Sequence, residues 1–221
     1  MTWDKAKAKT EIRKFFINHR VSAKRAVASA TDGKIYELYC LVRTLDWLKS
    51  AYPVTIRFKG STVDFKASPG NIDRSKSYFE IAGLGRMLEL HTDIEIQTLG
   101  SALSGGTGDK SGYHEIDLVL IDHNVPDGQQ PTHEQLFLGV ECKAHTVFKK
   151  SIIRQVLGVR REISFFQESE CKLELKFGGI NKRRMKSNPA SLYWLAFTDA
   201  RGLNYSQSPG IFEIEFKHWT P

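Results

Sequence analysis

Cysteine is scarce in this chain. Cys40, Cys142 and Cys171 are the three among 221 residues, and they have no close pairing. An odd, scattered set excludes a disulfide framework, and no zinc-ligand spacing is present. A reducing compartment, the cytoplasm, is the expectation. Long apolar runs are missing too: none reaches membrane length, and the N-terminus lacks a signal-peptide block. No internal repeat, zinc finger or base-reading module is visible. The glycine-rich stretch Gly105–Lys110 lacks the Gly-Lys-Ser/Thr ending and strand–helix setting of a phosphate loop. It reads as a loop near the site, able to close over a substrate. Acidic residues are outnumbered, 25 against 32 basic, for a formal charge of +7. That balance favours an anionic partner, of which nucleic acid is the commonest, although charge alone does not separate this from solubility.

What is present suits one domain with a small appendage. Residues 1–30 form a basic helical arm, with Ile12, Phe15, Phe16 and Val21 in a partly helical pattern. Residues 31–221 form the main domain. Ile35, Leu38, Leu41, Val42, Leu45 and Leu48 recur at helical spacing, so a helix is predicted over about 34–50, ended by Pro53. Thr55–Lys59 and Val63–Lys66 alternate as a hairpin would across Gly60-Ser61. Strands are expected at Tyr78–Ala82 and Leu88–Leu99, a loop over 100–112, and strands at Glu115–Asp122 (EIDLVLID) and Leu136–Lys143 (LFLGVECK). A helix over Val147–Phe166, a polar stretch over 167–190 and two closing strands, Leu192–Phe197 and Ile211–Phe216, complete an α/β order with a mixed sheet.

Chemistry concentrates in two of those strands. Asp117 lies in an apolar strand, where an unpartnered carboxylate costs several kcal/mol. Glu141 and Lys143, two residues apart in the next strand, share one face. If the strands are neighbours, Asp117 converges on Glu141, and the two repel unless a cation lies between them. Magnesium is the expected cation, with manganese able to substitute, and the Cys142 carbonyl can add an oxygen. Lys143 then stands beside the metal, to orient or help deprotonate a water and to neutralise charge on a phosphodiester under in-line attack. An ordinary Glu141–Lys143 ion pair is the plainer alternative.

Asp117 with Glu141-Cys142-Lys143 resembles the PD-(D/E)xK nuclease superfamily, which includes restriction endonucleases and repair and phage-defence nucleases. The resemblance covers about residues 33–166, and Ile116 stands where the name has proline. It implies a restriction-endonuclease-like αβββαβ core, a mixed central sheet flanked by helices, with 31–221 as the nuclease domain. It also implies a metal-directed glutamate on the first core helix, for which Glu37 is the candidate, and a glutamine after the lysine strand, for which Gln155 is. The function implied is metal-dependent endonucleolytic cleavage of DNA, in restriction or phage defence. The alternatives are a nucleic-acid-binding subunit of a larger complex, or a repair or RNA-processing nuclease. A homodimer or a targeting partner protein is compatible with either.

Basic residues mark where nucleic acid would lie. Lys149, Lys150, Arg154, Arg160 and Arg161 crowd the helix after Lys143. Lys150, Arg154 and Arg161 are read as one phosphate-facing side. Lys182, Arg183 and Arg184 form a second cluster, and the N-terminal arm a third. His114 and His145 flank the acidic strands and are read as structural hydrogen-bonders.

Overall fold

The structure, a computed structural model, describes residues 3–66, 68–83, 85–105, 109–168 and 185–221. Seven strands form one mixed sheet: β1 (Thr55–Lys59), β2 (Tyr78–Gly83), β3 (Arg86–Gln97), β4 (Tyr113–Asp122), β5 (Leu136–Lys143), β8 (Leu192–Phe197) and β9 (Ile214–His218). They lie side by side in that order, antiparallel as far as β5 and parallel from β5 to β9. Parallel neighbours need a crossover, and β5 reaches β8 through helix α5 (Lys150–Glu162) and the small β6–β7 pair, Phe165–Glu168 with Met185–Asn188.

Two apolar clusters cover the sheet's two sides, giving a three-layer α/β arrangement. The first joins Leu118, Leu120, Leu138 and Val140 to helix α3 (Asp32–Ala51). Thr31 caps α3 by accepting the Lys34 N–H at 3.3 Å, and the helix stops two residues before Pro53, which disfavours helix just ahead of it. Ala8, Ile12 and Phe16 of α1 (Lys5–Asn18) and Val27 of α2 (Lys24–Ser29) belong to this same cluster. The N-terminal segment is therefore built into the core on its apolar side and basic only on its outer side. The second cluster joins Ile94, Ile96, Ile116, Val119 and Leu195 to Ile152 and Val156 of α5.

Four sequence expectations are corrected. Val63–Lys66 forms no strand. β1 pairs instead with β2, Phe58 opposite Phe79, and the intervening chain is tied by Asp64–Lys76 at 2.9 Å and by Thr92 Oγ1 donating to the Lys66 carbonyl at 3.0 Å. The helix expected over 147–166 runs only from Lys150 to Glu162, and ahead of it the Phe148 N–H donates to Asp199 Oδ2 at 2.7 Å. The expected loop over 100–112 contains a short helix, α4 (Leu99–Leu103), capped by Thr98.

Arg160 is the fourth. It continues the buried stripe of Ile152 and Val156 at four-residue spacing and is wholly buried. Its guanidinium donates to Ser191 Oγ at 2.8 Å and to the carbonyls of Ser191 and Phe212 at 2.9 and 3.2 Å, with Glu213 3.6 Å away. It is a structural cation of the second core, not a phosphate contact.

Candidate metal centre

The alternation of β3 and β4 breaks at one row. Leu88 and Leu90 of β3 serve the first cluster, yet Ile94 and Ile96 serve the second. In β4, Leu118 and Leu120 serve the first and Ile116 the second. Residues of equal parity should share a face, so both strands change face between these points. The ladder pairs Thr92 with Leu118 and Ile94 with Ile116, leaving Asp93 and Asp117 at the break. Asp93 has φ +53°, a left-handed conformation that Asp tolerates better than most residues.

On the other side of β4, pairing to β5 reaches Leu118–Val140 and goes no further. The next residues, Asp117 and Glu141, sit at the mouth of that fork. There the Cys142 N–H donates to Asp117 Oδ2 at 2.6 Å, so a side-chain carboxylate stands in for a strand partner. Lys143 lies 2.8 Å from Glu141 Oε2 and 3.8 Å from Asp117 Oδ2, and Tyr193 donates its hydroxyl to Glu141 Oε1 at 3.2 Å. From α3, Lys34 bridges Glu37 and Asp93, with its Nζ 2.7 Å from Asp93 Oδ2.

Asp93, Glu115 and Asp117 offer carboxylate oxygens that all lie within 4.8 Å of one another, a group able to hold a metal ion. The donors are hard oxygens without histidine or cysteine, which fits magnesium or manganese better than zinc. Asp117 is the member anticipated from sequence. Glu141 stands beside this trio, tied to Lys143 and Tyr193. Glu37 borders it, close enough for Asp117 and Asp93 to act on its charge. Of Cys142, the observed contact is its amide, not its carbonyl.

The electrostatics are those of an anionic cluster short of positive charge. Burial pushes Glu37 up to about 7, with the negative charges of Asp117 and Asp93 adding to it against Lys34. Burial also raises Asp93, Glu115 and Glu141; Asp117 reinforces each, while Lys34 opposes the rise at Asp93 and Lys143 opposes it at Glu141 and Glu115. For Lys143, burial disfavours the ammonium, but Glu141 and Asp117 outweigh it and hold the group above the ordinary lysine range. Lys34 is held up against its own burial by Asp93 and Glu37. Lys34 and Lys143 pair directly with carboxylates of this group, and Lys66 acts on Asp93 and Glu115; the group of Asp93, Glu115 and Asp117 could hold a metal ion against their mutual repulsion.

Asp93 and Glu115 were passed over in the sequence. Asp93 had a signal: a carboxylate in the alternating run Leu88–Gln97, the same reasoning that singled out Asp117. Glu115 opens the EIDLVLID stretch. Elsewhere, Lys149, Lys150, Arg154, Gln155 and Arg161 are exposed on or beside α5, and Gln155 makes no hydrogen bond to the carboxylates among the described residues. Lys182, Arg183, Arg184 and the middle of the glycine-rich stretch (106–108) lie outside the described residues. His114 pairs with Glu162 at 2.8 Å, and His145 is exposed. No helix among the described residues is long and apolar enough to cross a membrane. No family model, curated protein or solved structure matches the chain.

Proposed function

We propose that the protein is a divalent-cation-dependent nuclease that hydrolyses phosphodiester bonds of DNA, built on a restriction-endonuclease-like core and serving restriction or phage defence. The observation that carries the reading is the convergence of Asp117, Asp93 and Glu115 within ligand range of one another, with Lys143 charged at their side. The order helix, strand, Asp strand, Glu-x-Lys strand, helix, strand over α3, β3, β4, β5, α5 and β8 supports the same reading.

A divalent cation such as magnesium, when bound, would supply Lewis acidity for the attack of water on the phosphodiester. The protein's own groups do the rest. Asp117, Asp93 and Glu115 would hold the cation, and Glu37 borders them from the helix side, bonded to Lys34. Glu141, fixed by Tyr193, keeps the Lys143 ammonium at the fork. Lys143 donates to a non-bridging phosphate oxygen and offsets charge that grows as the phosphorus becomes five-coordinate. Held above its ordinary pKa, Lys143 acts as a charge and a donor, and proton removal falls to the carboxylates.

Incubation of supercoiled plasmid, linear duplex and labelled RNA with magnesium, calcium or excess chelator tests the proposal. DNA cleavage with magnesium, and none in chelator, is expected. Undiminished cleavage in chelator, or none of any substrate with magnesium or manganese, overturns it.

A further inference from the structure

Beside the carboxylates lies a cleft of about 1050 Å³ between α2 and the segment 62–65. Its polar lining includes Lys24, Arg25, Ser29, Thr31, Thr62 and Lys34, set among apolar side chains of α2, α3 and the segment 62–65. Asp64, the acidic member of the lining, is taken up by Lys76 at 2.9 Å. Lys24 and Arg25 are exposed and form no salt bridge among the described residues. Lys34 belongs to two places at once: it lines this cleft, and its Nζ bonds Glu37 and Asp93 at the edge of the metal centre. The cleft and the carboxylate cluster therefore meet at Lys34.

We propose that this cleft binds the phosphodiester backbone of the nucleic-acid strand that enters the metal centre. The proposal rests on the nuclease reading and gives its substrate a path. Lys24 and Arg25, with hydroxyls from serine and threonine, are the donors that phosphate oxygens accept from, while Lys34 stays with Glu37 and Asp93. Phe65, the aromatic ring in the lining, is half-buried against the first core, so the cleft presents no free stacking platform for bases. Recognition here is of backbone charge, independent of sequence, and it assigns α2 a role in substrate binding.

Binding of short fluorescein-labelled DNA and RNA oligonucleotides, followed by anisotropy in calcium so that nothing is cut, tests this. Lys24→Ala/Arg25→Ala is expected to weaken binding at least tenfold. It should also flatten the dependence of log affinity on log salt by roughly 1.4–1.8, about 0.7–0.9 for each phosphate that is no longer neutralised. Arg13→Ala/Lys14→Ala on α1 removes the same charge from exposed positions outside the cleft and should have a much smaller effect. Circular dichroism confirms that both variants are folded. Equal effects from the two pairs, or no effect from Lys24→Ala/Arg25→Ala while the wild type binds, overturn the cleft and leave the nuclease reading standing. A wild type that binds neither oligonucleotide overturns both. The DNA and RNA arms identify which backbone is taken.

Discussion

Glu37 provides a quantitative handle on the metal centre. Its carboxyl is displaced from 4.5 to about 7, and its side chain is only 18% exposed. The folded chain therefore holds this proton more tightly than the unfolded chain does. Stability associated with it is fully present below about pH 4.5 and is lost as pH rises toward 7. At ~1.4 kcal/mol per pH unit the loss is at most about 3 kcal/mol. For a chain of this size that corresponds to roughly 6–12 °C in melting midpoint. Thermal melts in chelator at pH 5 and pH 8 measure it. The wild-type midpoint should fall more steeply than that of Glu37→Gln, which carries no titrating group at this position. Calcium should partly flatten the wild-type dependence, because a cation offsets the share of the displacement that Asp117 and Asp93 add to burial. Parallel pH profiles for wild type and Glu37→Gln would refute the reasoning, since Glu37 would then hold its proton no more tightly in the folded chain than in the unfolded one.

Lys143→Ala should lower cleavage by about 10²–10³-fold, as expected for losing one donor to the charge that develops on the phosphate, while calcium affinity, read by calorimetry, is kept or tightened; a folded variant cutting at the wild-type rate would remove the lysine from the mechanism. Arg160→Leu strips a buried guanidinium from Ser191, Phe212 and Glu213 and should cost about 3–5 kcal/mol in urea unfolding, whereas a loss under about 1 kcal/mol would mean the pocket collapses around the leucine. Glu89 is buried, which works against its charge, but His91 and Arg74 outweigh burial and hold its pKa below the ordinary glutamate value. The stability it contributes is present above about pH 4.5 and disappears as pH falls through its depressed pKa. Arg74→Met should therefore destabilise strongly at pH 7 and much less near pH 3, and an equal loss at both would disprove the linkage.

Much of the fold was legible because periodicity carried it. The helix read as 34–50 is Asp32–Ala51, and the strands holding Asp117, Glu141 and Lys143 fall within a residue or two of where alternation placed them. Glu37 was legible as a position on a helix flank. Partners distant in sequence were not. Val63–Lys66 alternates like a strand, but β1 finds better aromatic contact in Phe79, 21 residues beyond Phe58, at a ring-centroid distance of 5.2 Å. Arg160 was hidden because a basic residue next to Arg161 reads as surface, and only its four-residue phase with Ile152 and Val156 speaks against that. Asp93 enters the trio through a backbone angle, and no residue pattern announces a positive φ at an aspartate.

That angle has a consequence for mutational scanning. At position 93 the backbone bend and the carboxylate are carried by a single residue, so most substitutions would disturb both together. A β-branched residue such as valine resists positive φ and would pull β3 toward regular alternation, stranding Ile94 and Ile96 on the wrong side of the sheet. The scan would then score the position as a folding position, and its chemistry would go unseen. Asparagine tolerates the bend and lacks the charge. Among the substitutions at 93, Asp93→Asn is the one that keeps the bend while removing the charge, so its phenotype reports the cation site together with the ion pair to Lys34.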